Sequence, residues 1–179
     1  MTVATMTTPS TGSSEIAVLV ERARSGEREA FGELVERQWS ELVSLARAIL
    51  AADDPAEDLV QESLVHAWRR LWMLRRPETF PAWTRRIVTR RCLSWARRQR
   101  PPQILEEPAD DAAEPGASID TRRLLAALTP RQRAALHLTW IAGCTDREAG
   151  RILGLRPATV RVHRHRGLLN LRRIVEKRP

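Results

Sequence analysis

Hydrophobic positions along the first half of the chain recur mostly three and four residues apart, a spacing that predicts amphipathic helices. Residues 28–50, REAFGELVERQWSELVSLARAIL, follow it with Phe31, Leu34, Val35, Gln38, Leu42, Leu45 and Ile49. A second helix is predicted for AEDLVQESLVHAWRRLWML, because Asp53 or Asp54 can cap it and Pro55 suits a first helical residue. Since the alternating pattern of strands is absent, the sequence predicts an all-α fold.

The third predicted helix, FPAWTRRIVTRRCLSWARRQR, combines tryptophans with many arginines and has no acidic residue. On a helical wheel its apolar half is formed by Phe80, Trp83, Ile87, Val88, Cys92 and Trp95. Arg86, Arg90 and Arg97 share a face within an arc of about 40° outside that half. A face that only keeps a helix solvated usually mixes both signs of charge. This face therefore indicates an anionic partner.

The second half of the chain contains the spacing of a helix-turn-helix, in TDREAGRILGLRPATVRVHRHRGLLNLRR. Gly150 permits a close helix crossing, Gly154 suits a left-handed turn, and Val160 is the predicted buried anchor of the second helix. Thr145 or Asp146 can cap the first helix, with Glu148 near the reciprocal position of a capping box.

The second of these helices has one apolar and one basic side. Val160, Gly167 and Leu171 cluster on the first, and the second carries Ala158, Arg161, Val162, His165 and Arg172, with Arg166 at its edge. Such a helix can enter the DNA major groove, where arginine binds guanine edges or phosphates. An amphipathic hairpin in an ordinary helical bundle is the alternative.

Charge divides the chain of 179 residues, whose net charge is +8, into three parts. Residues 15–100 hold 16 basic and 13 acidic residues, and residues 120–179 hold 14 basic and four acidic. Residues 101–119 hold five acidic residues, four prolines and no basic residue, which predicts a flexible acidic linker. We therefore expect two small helical domains joined by this linker, after a disordered leader at 1–14. The basic second domain favours a nucleic-acid partner.

Several other classes of protein are disfavoured. No apolar run is long enough for a membrane span, and the leader lacks the features of a secretion signal, so a cytoplasmic protein without membrane insertion is expected. Cys92 and Cys144 are too few for a disulfide framework. Asp58, Glu62 and His66 follow one helix face but span too much of it to converge well on a metal ion. No catalytic motif stands out, so neither enzymatic activity nor a cofactor is expected.

Two long stretches resemble a known family. DDPAEDLVQESLVHAWRRL with FPAWTRRIVTRRCLSWARR resembles the first conserved domain of the extracytoplasmic-function group of bacterial sigma factors. LLAALTPRQRAALHLTWIAGCTDREAGRILGLRPATVRVHRHRGLLNLRR resembles the second. The resemblance implies a subunit that gives RNA polymerase its choice of promoter, with 15–100 as sigma domain 2 and 120–179 as sigma domain 4. A DNA-binding regulator that acts without polymerase is the alternative.

The resemblance also implies partners and roles for particular residues. It implies that four residues dock on the clamp helices of the largest polymerase subunit: Asp54, Asp58, Gln61 and Glu62. The residues implied to contact the opened −10 promoter element are Arg75, Arg76, Thr79, Phe80, Arg86, Arg90 and Arg97. The residues implied to contact the −35 element are Pro157, Ala158, Arg161, Val162, His165 and Arg166. The polymerase flap and an anti-sigma factor are further expected partners.

Five positions depart from the family pattern. Ala149 and Gly150 replace a larger aliphatic residue and an alanine, which predicts a looser helix-turn-helix core. Arg164 stands where a leucine is usual, and Arg156 where a serine cap is usual. Arg90 stands at a −10 position where asparagine is common.

Overall fold

The computed structural model describes residues 11–99 and 121–176, and every regular element in these two ranges is helical. The first range contains α1 (Thr11–Arg24), α2 (Arg28–Glu36), α3 (Trp39–Leu50), α4 (Asp54–Arg69) and α5 (Phe80–Gln99). The second contains α6 (Thr121–Ala126), α7 (Pro130–Leu136), α8 (Asp146–Leu153) and α9 (Pro157–Glu176). The all-α prediction is confirmed. Helix α1 begins inside the leader expected at 1–14, and the linker expected at 101–119 lies outside the described residues.

The helix predicted for residues 28–50 is two helices, so the prediction of one continuous helix is wrong. The break lies at Arg37 and Gln38, between α2 and α3. Gln38 is buried, and its side-chain oxygen accepts a hydrogen bond of 2.7 Å from the Thr84 hydroxyl of α5. A buried amide needs such a partner. The heptad-like spacing of apolar residues continues through the break, which explains why the pattern did not reveal it.

Aromatic side chains fasten the start of α5 to the first helices. Phe31 of α2 packs edge-to-face against Trp68 of α4 and Phe80 of α5, with ring centroids 4.9 and 6.1 Å apart. Within α5, the ring centroids of Phe80 and Trp83 lie 6.1 Å apart. Phe80 is fully buried, in a cluster with Leu19, Val20 and Leu34. Edge-to-face and tilted ring pairs of this kind add to the stabilisation from burial alone. The predicted core role of Trp83 is confirmed.

The two halves of the chain share one hydrophobic core. Buried side chains of α3, α4 and α5 form a single cluster with buried side chains of α7, α8 and α9. Its members include Leu42, Leu45, Ile49, Val60, Val88 and Cys92 from the first half, and Ala134, Leu138, Ala149, Ile152 and Val160 from the second. Helices α7 and α8 lie against α3 and α5. The helix-turn-helix is therefore packed directly on the first domain.

The predicted helix-turn-helix is formed by α8 and α9. The Thr145 hydroxyl accepts from the backbone N–H of Glu148, and the Glu148 carboxylate accepts from the backbone N–H of Thr145 at 2.8 Å. The Thr145 hydroxyl also donates to the Glu148 carboxylate at 2.7 Å, and this bond, with the one from the Thr145 backbone, lowers the pKa of Glu148. Gly154 ends α8 with φ of 69°, a left-handed conformation that suits glycine. Val160 is fully buried. The predicted roles of Thr145 as a cap, Gly154 in the turn and Val160 as the buried anchor are therefore confirmed.

Gly150 lies where the turn after α8 folds back. A Cβ atom at this position would lie 2.7 Å from the carbonyl oxygen of Leu155, a backbone atom. Glycine is thus the residue that lets the turn approach α8 closely. The sequence predicted a looser helix-turn-helix core at Gly150. The structure instead has a tight contact there and not an unfilled space.

We expect Gly150→Ala to lower the free energy of unfolding by about 1–3 kcal/mol, because the backbone must shift to admit the methyl group. Gly32→Ala is the matched control, since nothing lies within 4 Å of a Cβ there and Gly32 is also helical. That control should leave stability unchanged or raise it by up to about 1 kcal/mol. Chemical denaturation of both variants measures the difference. Equal effects would contradict the close contact at Gly150.

Candidate DNA and polymerase surfaces

An acidic surface lies on α4. Asp58, Gln61 and Glu62 are exposed there and line a shallow cavity of about 530 Å³, together with Val65, His66, Arg69 and Arg91. Asp54, the fourth residue of the predicted docking set, is exposed at the start of the same helix. The structure therefore brings Asp58, Gln61 and Glu62 into one concave surface that a protein partner can reach. We call this surface the acidic face.

Basic side chains border the acidic face. Glu62 pairs with Arg91 of α5 at 2.9 Å, so the neighbouring helix holds this carboxylate in place. Burial and the nearby cations Arg70, Arg91 and Arg69 all lower the pKa of His66. His66 is therefore neutral at pH 7 and does not add a positive charge to the face.

The predicted arginine face of α5 is present. Arg86, Arg90 and Arg97 are all exposed, whereas Val88 and Cys92 on the other side of the helix are fully buried. Burial raises the pKa of the Cys92 thiol to about 12. The core therefore fixes the helix, and the three guanidinium groups face outward from a rigid support.

The loop before α5 presents most of its predicted residues. Arg75 and Arg76 are exposed, and Arg76 pairs with Glu78 at 2.7 Å. The Thr79 hydroxyl donates to the carbonyl oxygen of Arg76 at 2.6 Å, which closes the turn. Phe80 does not fit its predicted contact with DNA, because its ring is 0% exposed. We assign Phe80 to the core.

An exposed aromatic residue beside this loop was missed by the sequence reading. Trp72 is 75% exposed and Met73 is 53% exposed, in a short helical turn at Leu71–Met73. Leu71 and Leu74 are buried on either side and anchor this turn. The sequence could have indicated this exposure. Trp72 follows Trp68 by four residues, but it lies outside the continuous apolar stripe of α4.

The outer side of α9 is open to solvent. All six residues predicted to read the −35 element, Pro157, Ala158, Arg161, Val162, His165 and Arg166, are exposed. The opposite side of α9 holds Val160 and Gly167, which are buried. The predicted division of this helix into a packed and a free side is confirmed.

Arg164 has a partner that explains its position on the packed side. Its guanidinium donates to Asp146 at 2.6 Å, and Arg161 lies 3.7 Å from the same carboxylate. Asp146 is in the first turn of α8, so this pair ties the two helices of the motif together. An ion pair thus stands at the position where the resemblance predicts a leucine.

Comparisons with known proteins identify the family of both halves of the chain. The model of Sigma-70 region 2 matches residues 34–101, and the model of Sigma-70 region 4 matches residues 119–171. The chain belongs to the sigma-70 family. Region 2 spans the acidic and arginine faces, and region 4 spans the helix-turn-helix.

Relatives place the chain in the extracytoplasmic-function group. It is 30% identical over 156 residues to the ECF RNA polymerase sigma factor SigM of Mycobacterium tuberculosis, covering 84% of this chain and 80% of SigM. It is 31% identical over 157 residues to the RNA polymerase sigma factor CnrH of Cupriavidus metallidurans, covering 77% of this chain and 82% of CnrH.

Solved structures share the fold. The structure of CnrH in complex with the cytosolic domain of CnrY matches with a TM-score of 0.68 and 27% identity, covering 90% of this chain and 97% of that one. A sigma factor RpoE in complex with the anti-sigma factor NepR from Bartonella quintana matches with a TM-score of 0.65, covering 82% and 97%. At 23% identity this second match supports the fold alone. In the described part of the chain, no helix has the length and apolar character that a membrane crossing needs.

Proposed function

We propose that this chain is an RNA polymerase sigma factor that binds core polymerase, directs it to specific promoters and helps to open the −10 element. The observation that carries the proposal is the presence of two different surfaces in region 2 besides a helix-turn-helix in region 4. A regulator that acts without polymerase needs only the helix-turn-helix. Both SigM and CnrH are sigma factors by name.

In this proposal the acidic face docks on the clamp helices of the largest polymerase subunit. Its residues are Asp58, Gln61 and Glu62, with Asp54 at the edge. Their exposure and the concave shape of the surface support a protein contact. Paired charges across such a contact give orientation and specificity.

The arginine face and the loop before α5 hold the opened −10 element. Arg86, Arg90, Arg97, Arg75 and Arg76 are exposed, and Thr79 is partly exposed at the end of the loop. Basic grooves beside aromatic side chains suit unstacked single-stranded DNA. The outer side of α9 enters the major groove of the −35 element, which its exposed arginines and its buried opposite side support.

The chain contributes no catalytic group in this proposal, because RNA synthesis belongs to the polymerase. It works in the cytoplasm, where polymerase and promoter DNA are found. An anti-sigma factor is a further proposed partner, since the Bartonella RpoE was solved with the anti-sigma factor NepR and CnrH with the cytosolic domain of CnrY.

Run-off transcription with core polymerase tests the function directly. We expect promoter-dependent transcripts from a varied template set only when this protein is added. A housekeeping sigma factor serves as the control that the core preparation is active. Failure to produce any promoter-dependent transcript with an active core preparation would refute the proposal.

A further inference from the structure

An exposed aromatic residue lies between two pairs of arginines, just before the loop that leads into α5. Residues 69–76 read RRLWMLRR, with four basic residues and no acidic one. The arginines are exposed, and so are Trp72 and Met73 at the centre, whereas Leu71 and Leu74 between them are buried. The stretch therefore presents one apolar pair of side chains in a basic surrounding.

The turn that carries Trp72 is fixed from several directions. Leu71 and Leu74 belong to the same buried cluster as Phe80. The backbone N–H of Leu74 donates to the carbonyl oxygen of Leu71 at 3.1 Å, and Nε of Arg24 on α1 donates to the same oxygen at 3.3 Å. Trp72 therefore projects from an ordered backbone, which lowers the entropy that a partner must overcome on binding.

The fold itself makes little use of the Trp72 ring. At 75% exposure, it leaves in water most of the apolar surface that a tryptophan contributes to a core. Trp68, one helical turn earlier, packs edge-to-face on Phe31 instead. Single exposed apolar residues are common on protein surfaces, so exposure alone does not indicate a partner. The charges around Trp72 narrow the choice.

Uncompensated cations flank Trp72 on both sides. Arg76 pairs with Glu78 at 2.7 Å, but in the part of the chain that the structure describes no carboxylate pairs with Arg70 or Arg75. A single strand of DNA has a phosphate on each side of every base, and each base has an apolar face. Exposed aromatic side chains in a basic groove are the arrangement that binds such a strand.

The size of the apolar pair favours a nucleic acid over a protein partner. A stable protein interface buries about 800 Å² on each side, whereas one tryptophan supplies about 250 Å² at most. The exposed neighbours of Trp72 and Met73 are arginines, which do not extend the apolar area. A stacked base needs only one aromatic face, and that contact raises affinity by about fivefold to 150-fold.

Trp72 is also close to the proposed −10 surface. It precedes Arg75, the first residue of the basic loop, by three residues, so their Cα atoms lie within about 11 Å of each other. A strand held by the loop therefore passes within reach of the indole ring. The family resemblance assigns no role to Trp72.

We propose that Trp72 is a stacking platform for one unpaired base of the opened promoter strand, with Met73 beside it and Arg70 and Arg75 on the neighbouring phosphates. Because every base has a face that can stack, the platform adds affinity without selecting a sequence. The proposal rests on the proposed function only for the source of the single strand, since the free chain already presents the ring.

Fluorescence anisotropy with two labelled strands of about 16 nucleotides tests the platform in the full chain. One strand is deoxyadenosine throughout, and the other consists of abasic sites, so the phosphates are the same and only the bases differ. We expect the wild-type protein to bind the deoxyadenosine strand at least about fivefold more tightly. Trp72→Ala should abolish this preference and change affinity for the abasic strand by less than about twofold.

Three further variants separate stacking from charge. Trp72→Phe keeps an aromatic ring and should keep most of the preference. Trp140→Ala is the matched control, because Trp140 is 58% exposed in region 4, and it should behave as the wild type. Arg70→Ala/Arg75→Ala should weaken both strands equally and reduce the slope of log affinity against log salt by about 1.4. Circular dichroism checks that each variant is folded.

Two results would overturn the platform. One is equal affinity of the wild-type protein for both strands, or no binding to either. The other is an undiminished preference in folded Trp72→Ala; if this variant also loses affinity for core polymerase, Trp72 is a protein contact instead.

Run-off transcription with the same preparations separates this proposal from the proposed function. Trp72→Ala should lower promoter-dependent transcription by about fivefold or more. If the wild-type protein gives no promoter-dependent transcript with an active core preparation, the proposed function fails. The comparison of the two strands still decides whether Trp72 stacks on a base.

Discussion

Replacement of Arg86 and Arg90 by alanine should reduce promoter-dependent transcription by about tenfold or more, because a good arginine contact to DNA contributes about 1–3 kcal/mol. Affinity for core polymerase should change by less than about twofold. Both side chains are exposed on a helix whose opposite side is buried, so their removal leaves the core intact. Permanganate footprinting of the −10 region should show weaker opening.

The control removes the same charge elsewhere in the first domain. Arg28 and Arg37 are exposed at the two ends of α2, away from the arginine face, and R28A/R37A should transcribe at near wild-type levels. Arg86→Ala alone is also informative, since Arg90 additionally lies near Gly154. Equal loss of polymerase binding and promoter opening in R86A/R90A would show that these arginines do not act on DNA.

The helices and their exposed faces could be predicted because each depends on local periodicity. The arginine face, the outer side of α9 and the capping box of Thr145 and Glu148 all follow from spacing within one helix. The break at Gln38 was missed because the apolar spacing continues through it, and the hydrogen-bond partner of the buried Gln38 side chain, Thr84, is 46 residues away. Tertiary hydrogen bonds of this kind leave no periodic signal.

The same limit applies to the candidate sites. The family resemblance assigned Phe80 to DNA because it stands beside the loop, whereas the helical wheel placed it in the apolar half, and its ring does belong to the core. The partner of Arg164 is Asp146, 2.6 Å away and 18 residues earlier in the preceding helix, so spacing within α9 alone does not reveal it. The packing of region 4 on region 2 depends on a hydrophobic cluster that joins residues far apart in the sequence, and the periodicity of one helix does not show which other helix it will meet.

Reversal of charge on the acidic face gives the second large effect that we expect. In Asp58→Lys/Glu62→Lys, two exposed carboxylates become cations in a cavity that already contains Arg69 and Arg91. Glu62→Lys also replaces the ion pair with Arg91 by two like charges. Because like charges across an interface cost several kcal/mol, affinity for core polymerase should fall by about tenfold or more.

The measurement is the dissociation constant for core polymerase, obtained by fluorescence anisotropy with labelled full-length protein. Glu29→Lys/Glu36→Lys is the matched control, since it makes the same change of net charge at exposed positions of α2. Thermal unfolding of each variant distinguishes loss of polymerase binding from loss of the folded structure. Because Asp58 and Glu62 are exposed, we expect only a small change in the free energy of unfolding. Unchanged affinity for core polymerase in the folded Asp58→Lys/Glu62→Lys variant would rule out docking through the acidic face. An equal loss of affinity in the control variant would show that net charge, and not this surface, governs the contact.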